Sequence, residues 1–339
     1  MRKYQITVDC GTSNTRAFLW REGRLLAAEK RAVGVRNTAI DGHNGRLKAA
    51  VRECLEALLT GQSLDYADVE GIFASGMITS NVGLAEIPHL AAPVSAEDLA
   101  AGMRAVVLPD VCPLPIHFIP GVKNSAAPVT ADSFEAMDMM RGEETETVAL
   151  LQRLDAPGGW LIVLPGSHTK FVSVDRDGRI AGCLTSITGE LLAAITRETL
   201  IADAVQRRFV TEETYDREML RTGCETAARV GLGRACFSAR ILAQFAGEPP
   251  ERLANYILGA CLQSDVAAIR NSEALRVAPD MGVLVAGGGV TGRAMADVLA
   301  HAGLFARVQR FEPGDDLPLS GLGALAIAAR ARDGSILRD

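Results

Sequence analysis

Residues 6–20 read Ile6-Thr7-Val8-Asp9-Cys10-Gly11-Thr12-Ser13-Asn14-Thr15-Arg16-Ala17-Phe18-Leu19-Trp20, followed by Arg21-Glu22-Gly23-Arg24. The same outline returns 155 residues later as Leu161-Ile162-Val163-Leu164-Pro165-Gly166-Ser167-His168-Thr169-Lys170-Phe171-Val172-Ser173-Val174, then Asp175-Arg176-Asp177-Gly178-Arg179. Gly11 falls on Gly166, Thr12 on Ser167, Gly23 on Gly178 and Arg24 on Arg179. In each copy a β-rich run ends in a Gly-Ser/Thr loop, a second run follows, and a glycine turn sends back a third. A short-period array would repeat many times, whereas this unit occurs twice, half a chain apart. It predicts two similar domains that each open with a β meander, against the competing reading of two unrelated hairpins.

The surrounding pattern is α/β in both halves. Apolar residues at Leu47, Val51, Leu55 and Leu58 have helical spacing. A strand is expected over 69–74, an irregular or inserted region over 88–120, a short strand over 116–119 and a helix over 142–154. Ala156-Pro157-Gly158-Gly159 is the best linker, because Pro and Gly stop that helix. The expected domains are therefore 1–156 and 157–339. The second continues with a strand over 181–187, a helix over 189–201, a helical middle over 202–270, strands over 283–286 and 306–311, and a closing helix near Gly321.

A chain of 339 residues suits about two domains. It is 48% apolar, too much for disorder, and its formal charge of −6 argues against a broad basic face for nucleic acid or anionic lipid. One phosphate group can still be held by backbone N–H groups and a few cations. No run reaches the length of a membrane span, and Met1-Arg2-Lys3 leads straight into a strand-like run without a signal region. The seven cysteines form no Cys-x-x-Cys, and the five histidines show no metal-site spacing. The expected location is the cytoplasm.

Asp9-x-Gly11-Thr12-Ser13-Asn14 is the most informative local signal. Its small-residue turn can cradle phosphate oxygens, and Asp9 can hold Mg²⁺ through coordinated water. An Asx-type turn between strands would look similar. Gly166-Ser167-His168-Thr169-Lys170 adds a second small-residue loop with a cation, so that two facing loops could clamp a polyphosphate. Gly287-Gly288-Gly289-Val290-Thr291-Gly292 satisfies Gly-x-Gly-x-x-Gly, with Glu312 after the next strand. A dinucleotide site is the competitor, but only about 50 residues remain, too few for a doubly wound sheet; contact with adenosine is favoured.

Glu143 and Glu144 open a helix after Arg141-Gly142, where acids commonly serve the helix dipole, although one could be a general base. Thr188 opens another helix as a plausible N-cap whose neighbouring N–H groups could hold an anion. Ser80 and Asn81 lie in a polar, glycine-flanked loop suited to substrate or to a surface turn. The chain lacks both a Gly-x-x-x-x-Gly-Lys-Ser/Thr loop and a recognisable hydrolase triad.

These motifs together resemble the superfamily of sugar kinases, actin and heat-shock ATPases, and more narrowly the 2-dehydro-3-deoxygalactonokinases. The stretches that carry the resemblance are Gly76-Met77-Ile78-Thr79-Ser80-Asn81-Val82-Gly83, Ile119-Pro120-Gly121, Met140-Arg141-Gly142-Glu143-Glu144-Thr145, Leu164-Pro165-Gly166-Ser167-His168-Thr169-Lys170 and Thr188-Gly189-Glu190-Leu191. The chain departs from the family at Leu84 and His89, where Trp and Tyr are expected. The resemblance implies two ribonuclease-H-like domains of the actin-like ATPase fold around a cleft. It implies transfer of the γ-phosphoryl of ATP, with Mg²⁺, to the 6-hydroxyl of 2-dehydro-3-deoxy-D-galactonate. By that resemblance Glu143, ahead of Glu144, is the catalytic carboxylate in the role of base, and Asp9 positions the metal. Gly11, Thr12, Ser13, Asn14, Gly166, Ser167, His168 and Lys170 hold phosphates, and Gly287, Gly288 and Gly289 face adenosine. Ser80, Asn81, Arg141, Arg16 and Thr188 are candidates for the sugar acid. The expected partner is a small molecule, with a second copy of the chain if it forms a homodimer. Another sugar kinase or a polyphosphate phosphatase of the same fold, and a non-catalytic ATPase-fold sensor, are the rival readings.

Overall fold

The computed structural model describes residues 4–125, 128–154, 158–311 and 318–333. β1 (Tyr4–Cys10), β2 (Thr15–Arg21) and β3 (Arg24–Arg31) form the first meander, followed by α1 (Val35–Asp41), α2 (Gly45–Gly61) and β4 (Val69–Gly76). Next come β5 (Leu90–Ala91), α3 (Ala96–Gly102), β6 (Arg104–Val106), β7 (Ile116–Phe118), β8 (Val122–Lys123), β9 (Met139–Met140) and α4 (Glu143–Leu151). The second half opens with β10 (Trp160–Leu164), β11 (Thr169–Val174), β12 (Ile180–Ser186), α5 (Thr188–Glu198) and α6 (Ile201–Ala204). Helices α7 (Arg217–Val230), α8 (Leu232–Ile241) and α9 (Pro250–Asn271) fill its middle. β13 (Gly282–Ala286), α10 (Gly289–Ala302), β14 (Arg307–Phe311) and α11 (Leu319–Asp333) complete it.

The repeat read in the sequence is a repeat of topology. One sheet runs β3-β2-β1-β4-β7-β6 and the other β12-β11-β10-β13-β14. In each, the meander pairs antiparallel and its first strand then takes a parallel partner, β4 on β1 and β13 on β10. Gly23 and Gly178 both stand in the left-handed region, at φ 75° and 78°, where a side chain would be strained. The parallel strands carry near-continuous apolar runs because both sheet faces are covered. The central strand β10 is buried at every residue.

α2 buries Leu47, Val51, Leu55 and Leu58, the residues whose spacing predicts it, against β2 and β3. The region 88–120 is more ordered than expected. It holds α3 and the strands β5 and β6, and β5 joins β8 and β9 in a small third sheet. The start of α3 is a capping box: Asp98 N donates to Ser95 Oγ at 3.1 Å, and Ser95 N donates to Asp98 Oδ2 at 2.9 Å. The helix expected over 189–201 stops at Glu198. Thr199 turns to an extended conformation, and its hydroxyl accepts the N–H of Ile201 at 3.1 Å where α6 begins. Ala156 and Pro157 of the expected linker, and Glu312, lie outside the described residues.

Two features bind the halves together. α11, the last helix, packs on α3, α4, β1 and β4 of the first half, burying Ala324, Ile327 and Ala328. The β8–β9 segment is fastened to the second half through Asn124, and through Asp138 and Met139, which take hydrogen bonds from Thr185 and Lys170. The side-chain amide of Asn124 is shared among the carbonyls of Ala136, Cys183 and Ala274 at 2.9–3.2 Å, and its Oδ1 accepts Cys183 N at 2.8 Å. Asn124→Ala leaves those buried groups without partners. The expected result is a loss of about 2–4 kcal/mol, read by urea unfolding, because each orphaned buried group costs about 1–3 kcal/mol. A loss below about 0.5 kcal/mol would show that the fastening is dispensable.

Candidate functional site

In sheets with parallel neighbours, loops leaving the carboxyl ends of adjacent strands gather at one edge. Asp9 lies near the end of β1 and Gly76 ends β4, and a Cβ on Gly76 would sit 3.1 Å from Asp9 Oδ1. Gly142, which precedes α4, lies against Gly76 in turn, a Cβ there falling 3.3 Å from Gly76 Cα. The start of α4 therefore sits beside the Asp9 carboxylate. Asp9 is 9% exposed, and its Oδ2 meets Arg16 Nη2 at 3.0 Å and accepts Ser320 Oγ at 3.3 Å. Burial pushes the Asp9 carboxyl up, while Arg16 and Ser320 hold it back. The link to Ser320 has no precursor in the sequence pattern; it exists because α11 returns to β1.

The two glutamates that open α4 are placed differently. Glu144 is fully buried, and both its oxygens accept the N–H of Gly142, at 2.8 and 2.9 Å, as a cap on its own helix. Glu143 is only partly buried and accepts Arg141 N at 3.1 Å. Burial raises the Glu143 carboxyl, the positive charge of Lys170 draws it down, and Asp9 pushes it up. These influences bring Asp9, Glu143 and Lys170 into one electrostatic neighbourhood drawn from both halves. The sequence reading missed Glu146, one turn along α4, which feels Asp9, Glu143 and Arg16. The i, i+3 spacing to Glu143 is the signal that could have found it.

Both glycine loops are backed by a following helix in the same manner. Gly34 lies so close to the first loop that a Cβ would come within 2.5 Å of Gly11 O, and Arg36 N donates to Thr12 O at 3.0 Å. Gly189 repeats this: its Cβ would come within 2.2 Å of Gly166 O, and Glu190 N donates to Ser167 O at 3.1 Å. Gly34 and Gly189 are themselves 155 residues apart, an extension of the repeat that the reading did not reach. Thr12, Ser13, Gly166, Ser167 and His168 are exposed, with Gly11 and Asn14 half-buried. His168 Nε2 lies 3.4 Å from Glu190 Oε1. Lys170 Nζ is engaged with Met139 O at 2.7 Å and Thr185 Oγ1 at 2.5 Å, so it also ties β11 to β9.

The Gly287–Gly289 turn touches the second loop, a Cβ on Gly287 falling 3.1 Å from Pro165 Cδ. Gly288 and Gly289 are exposed. Next to them a cavity of about 110 Å³ opens between α5, α9 and the start of α10, lined by Leu192, Thr196, Phe209, Leu258, Val290 and Thr291 among others. No motif pointed to Phe209; its guanidinium partner Arg197 lies 4.8 Å from the ring centroid.

Arg141 reaches from the start of α4 to the 77–89 loop. It donates to Thr79 Oγ1 at 2.7 Å and to Ile87 O at 2.8 Å, and lies 3.3 Å from His89 Nδ1. Burial and the charge of Arg141 press the His89 imidazole down to about 4, so it is neutral at pH 7. Ser80 is buried with its hydroxyl on Met77 O at 2.7 Å, whereas Asn81 is exposed. Thr188 is buried and its hydroxyl is given to Asp265 at 2.5 Å.

Two sheets of like topology, each with a glycine loop after its first strand, define the actin-like ATPase and sugar kinase class. A crystal structure of a Sinorhizobium meliloti protein assigned as a 2-dehydro-3-deoxygalactonokinase superposes with a TM-score of 0.73 at 22% identity, covering 98% of this chain and all of that one. An activator of a 2-hydroxyisocaproyl-CoA dehydratase from Clostridium difficile, solved with ADPNP, superposes at 0.52 and 11% identity, covering 99% of this chain and 98% of its own. The family described as 2-keto-3-deoxy-galactonokinase matches residues 9–325, and the chain belongs to that family. Its relatives include 2-dehydro-3-deoxygalactonokinase of Escherichia coli (strain K12), 26% identical over 85% of this chain and 87% of that protein. A protein of Rhizobium meliloti (strain 1021) described as a probable 2-dehydro-3-deoxygalactonokinase is 30% identical over 60% of this chain, a match spanning 59% of that relative's length.

Burial and neighbouring carboxylates push the Glu146 carboxyl up to about 8. A carboxyl that titrates higher in the folded chain than its ordinary value near 4.3 binds its proton more tightly when folded. Its contribution to stability therefore falls as pH rises from about 4.5 toward 8. In protein free of nucleotide and metal, Glu146→Gln should gain stability over wild type steadily between pH 5 and pH 8, measured by urea unfolding. A difference independent of pH would contradict this placement.

Proposed function

We propose that this chain transfers the γ-phosphoryl group of ATP to the terminal 6-hydroxyl of 2-dehydro-3-deoxy-D-galactonate. The observation that carries the reading is that the start of α4, with Glu143, lies beside the Asp9 carboxylate next to the first glycine loop of a galactonokinase-family chain. In the same reading the chain divides into domains 1–156 and 157–339, each built on one of the two large sheets, with α11 reaching back to the first. It acts in the cytoplasm; among the described residues no helix is long and apolar enough to cross a membrane.

The loops Gly11–Asn14 and Gly166–His168, exposed at Thr12, Ser13, Gly166, Ser167 and His168, hold the polyphosphate from two sides, which neutralises charge without a P-loop. Adenosine lies against Gly287–Gly289 with its base toward the cavity beside Val290. Among the described residues no group of three or more protein ligands could hold a metal, which suits Mg²⁺: that ion keeps several waters and takes one carboxylate plus phosphate oxygens. Asp9, with its Oδ1 facing Gly76, is the residue that would hold it, and the bound ion would neutralise the developing phosphate charge.

Glu143 is the general base, since Glu144 has both oxygens committed to Gly142. As the sugar's hydroxyl oxygen forms its bond to the γ-phosphorus, the bond to the β-phosphate oxygen breaks, ADP leaves, and the hydroxyl proton passes to Glu143. A carboxyl raised above the usual range by burial is a better proton acceptor near neutral pH. Arg141, braced on Thr79 and Ile87, presents its remaining N–H groups to the sugar acid's carboxylate, with Ser80 and Asn81 shaping the surroundings; Thr188, buried with its hydroxyl given to Asp265, stands behind the second glycine loop instead. Arg16 is held by Asp9 and is half exposed, so it is placed to meet phosphate as well as sugar acid.

ADP release should be followed with ATP, Mg²⁺ and a panel of 2-dehydro-3-deoxy sugar acids and plain hexoses. Turnover is expected with the galactonate-derived acid and is expected to fall at least about 100-fold in Asp9→Ala, as for loss of a charge-positioning group. Turnover confined to another sugar would discard the substrate, and silence across the panel would discard the kinase.

A further inference from the structure

The least explained charge in the second half is Asp265, on α9. Its side chain is fully buried, on a helix whose neighbouring Leu262, Val266 and Ile269 are buried too. One carboxylate oxygen, Oδ1, accepts the hydroxyl of Thr188 at 2.5 Å; the other, Oδ2, is buried and has no hydrogen-bond partner among the described residues. Ser186 Oγ joins the same group, 3.1 Å from Thr188 Oγ1. Burial pushes the carboxyl up to about 6, which still leaves it ionised at neutral pH. An ionised carboxylate with a bare oxygen in an apolar core destabilises the fold, and such a group calls for a reason outside stability.

The reason lies one residue further along the chain. Thr188 is the first residue of α5, and the next two clasp the second glycine loop: Gly189 against Gly166 O, and Glu190 N donating to Ser167 O. Asp265 thus grips from below the helix end that supports the loop from behind. The first loop has a corresponding glycine, Gly34, backing it at the N-cap of α1. A charged acceptor makes the stronger hydrogen bond, so ionised Asp265 fixes Thr188 more firmly than a neutral group would.

We propose that Asp265 is a positioning residue that acts through Thr188 to hold the Gly166–His168 loop in shape for the phosphates of ATP. The inference rests on the kinase reading for the identity of the ligand. It confines the effect to nucleotide, because the groups assigned to the sugar acid, Arg141, Ser80 and Asn81, belong to the first half.

The test compares Asp265→Ala, Asp265→Asn, Thr188→Val and the double variant Asp265→Ala/Thr188→Val. Two readouts are taken: KM for ATP and for the sugar acid, and titration of a fluorescent ATP analogue with no sugar present. Asp265→Ala and Thr188→Val should each weaken ATP about tenfold or more, as for a hydrogen bond to a charged group, and leave the sugar KM within about twofold. Asp265→Asn keeps an acceptor and should stay within about threefold of wild type. The double variant should be no worse than either single, because both act in one chain. Equal changes in both KM values, unchanged ATP affinity in folded variants, or additive losses would each overturn the proposal. Thr188→Val preserves shape and decides the matter if Asp265→Ala does not fold. The analogue titration needs no phosphoryl transfer, so failure of the sugar assay in wild type would count against the kinase reading alone.

Discussion

Everything at the site depends on a helix N-terminus pressed, through a residue without a side chain, onto the carbonyl of a strand-end loop. That contact is made twice, by Gly34 on Gly11 and by Gly189 on Gly166. Its consequence is geometric. With the loop carbonyls turned back to the helix, the exposed faces of Thr12, Ser13, Ser167 and His168 are left at the carboxyl edges of their sheets. A Cβ at Gly34 or Gly189 would come within 2.5 or 2.2 Å of a loop carbonyl oxygen, so neither position accepts a side chain unless helix or loop gives way.

Beside the first loop, where α4 starts next to Asp9, the protein gathers three carboxyls. Burial raises the carboxyls of Asp9, Glu143 and Glu146; Asp9 pushes that of Glu143 further up, and Asp9 and Glu143 together push up that of Glu146. Arg16 and Lys170 are the cations that act on the group, and Lys170 is also tied to Met139 and Thr185. Such a cluster of carboxyls is electrostatically tense, and a cationic ligand or the protonation of one carboxyl relieves it. The same surroundings that make the folded chain less stable at high pH would, in the proposed reaction, suit Glu143 to accept a proton, the usual exchange of stability for function.

Much of this was legible in the sequence, because it rests on local chemistry. The two meanders, their turn glycines and the α/β order follow from period-2 runs, Gly-Ser/Thr loops and helical spacing, and the sheets have the implied topology. The α3 capping box at Ser95 and Asp98 was equally local and was passed over within a Pro-rich stretch. What local pattern cannot carry is contact between distant residues. Ser320 reaches Asp9 across 311 positions, Asn124 joins Ala274 across 150, and Asp265 holds Thr188 across 77. The distinction between Glu143 and Glu144 is of the same kind: adjacent, chemically identical residues are separated by which one turns its oxygens back to Gly142.

The central claim is that Glu143 takes the proton while the loops hold the nucleotide, so chemistry and binding are separable at one atom. The direct measurement is single-turnover transfer of labelled γ-phosphoryl from ATP to 2-dehydro-3-deoxy-D-galactonate, by wild type and by Glu143→Gln, with ATP affinity measured alongside. The account predicts unchanged ATP affinity and transfer slowed by about 10²–10⁴ in the variant, the range a positioned general base supplies. Transfer at the wild-type rate by Glu143→Gln would contradict it.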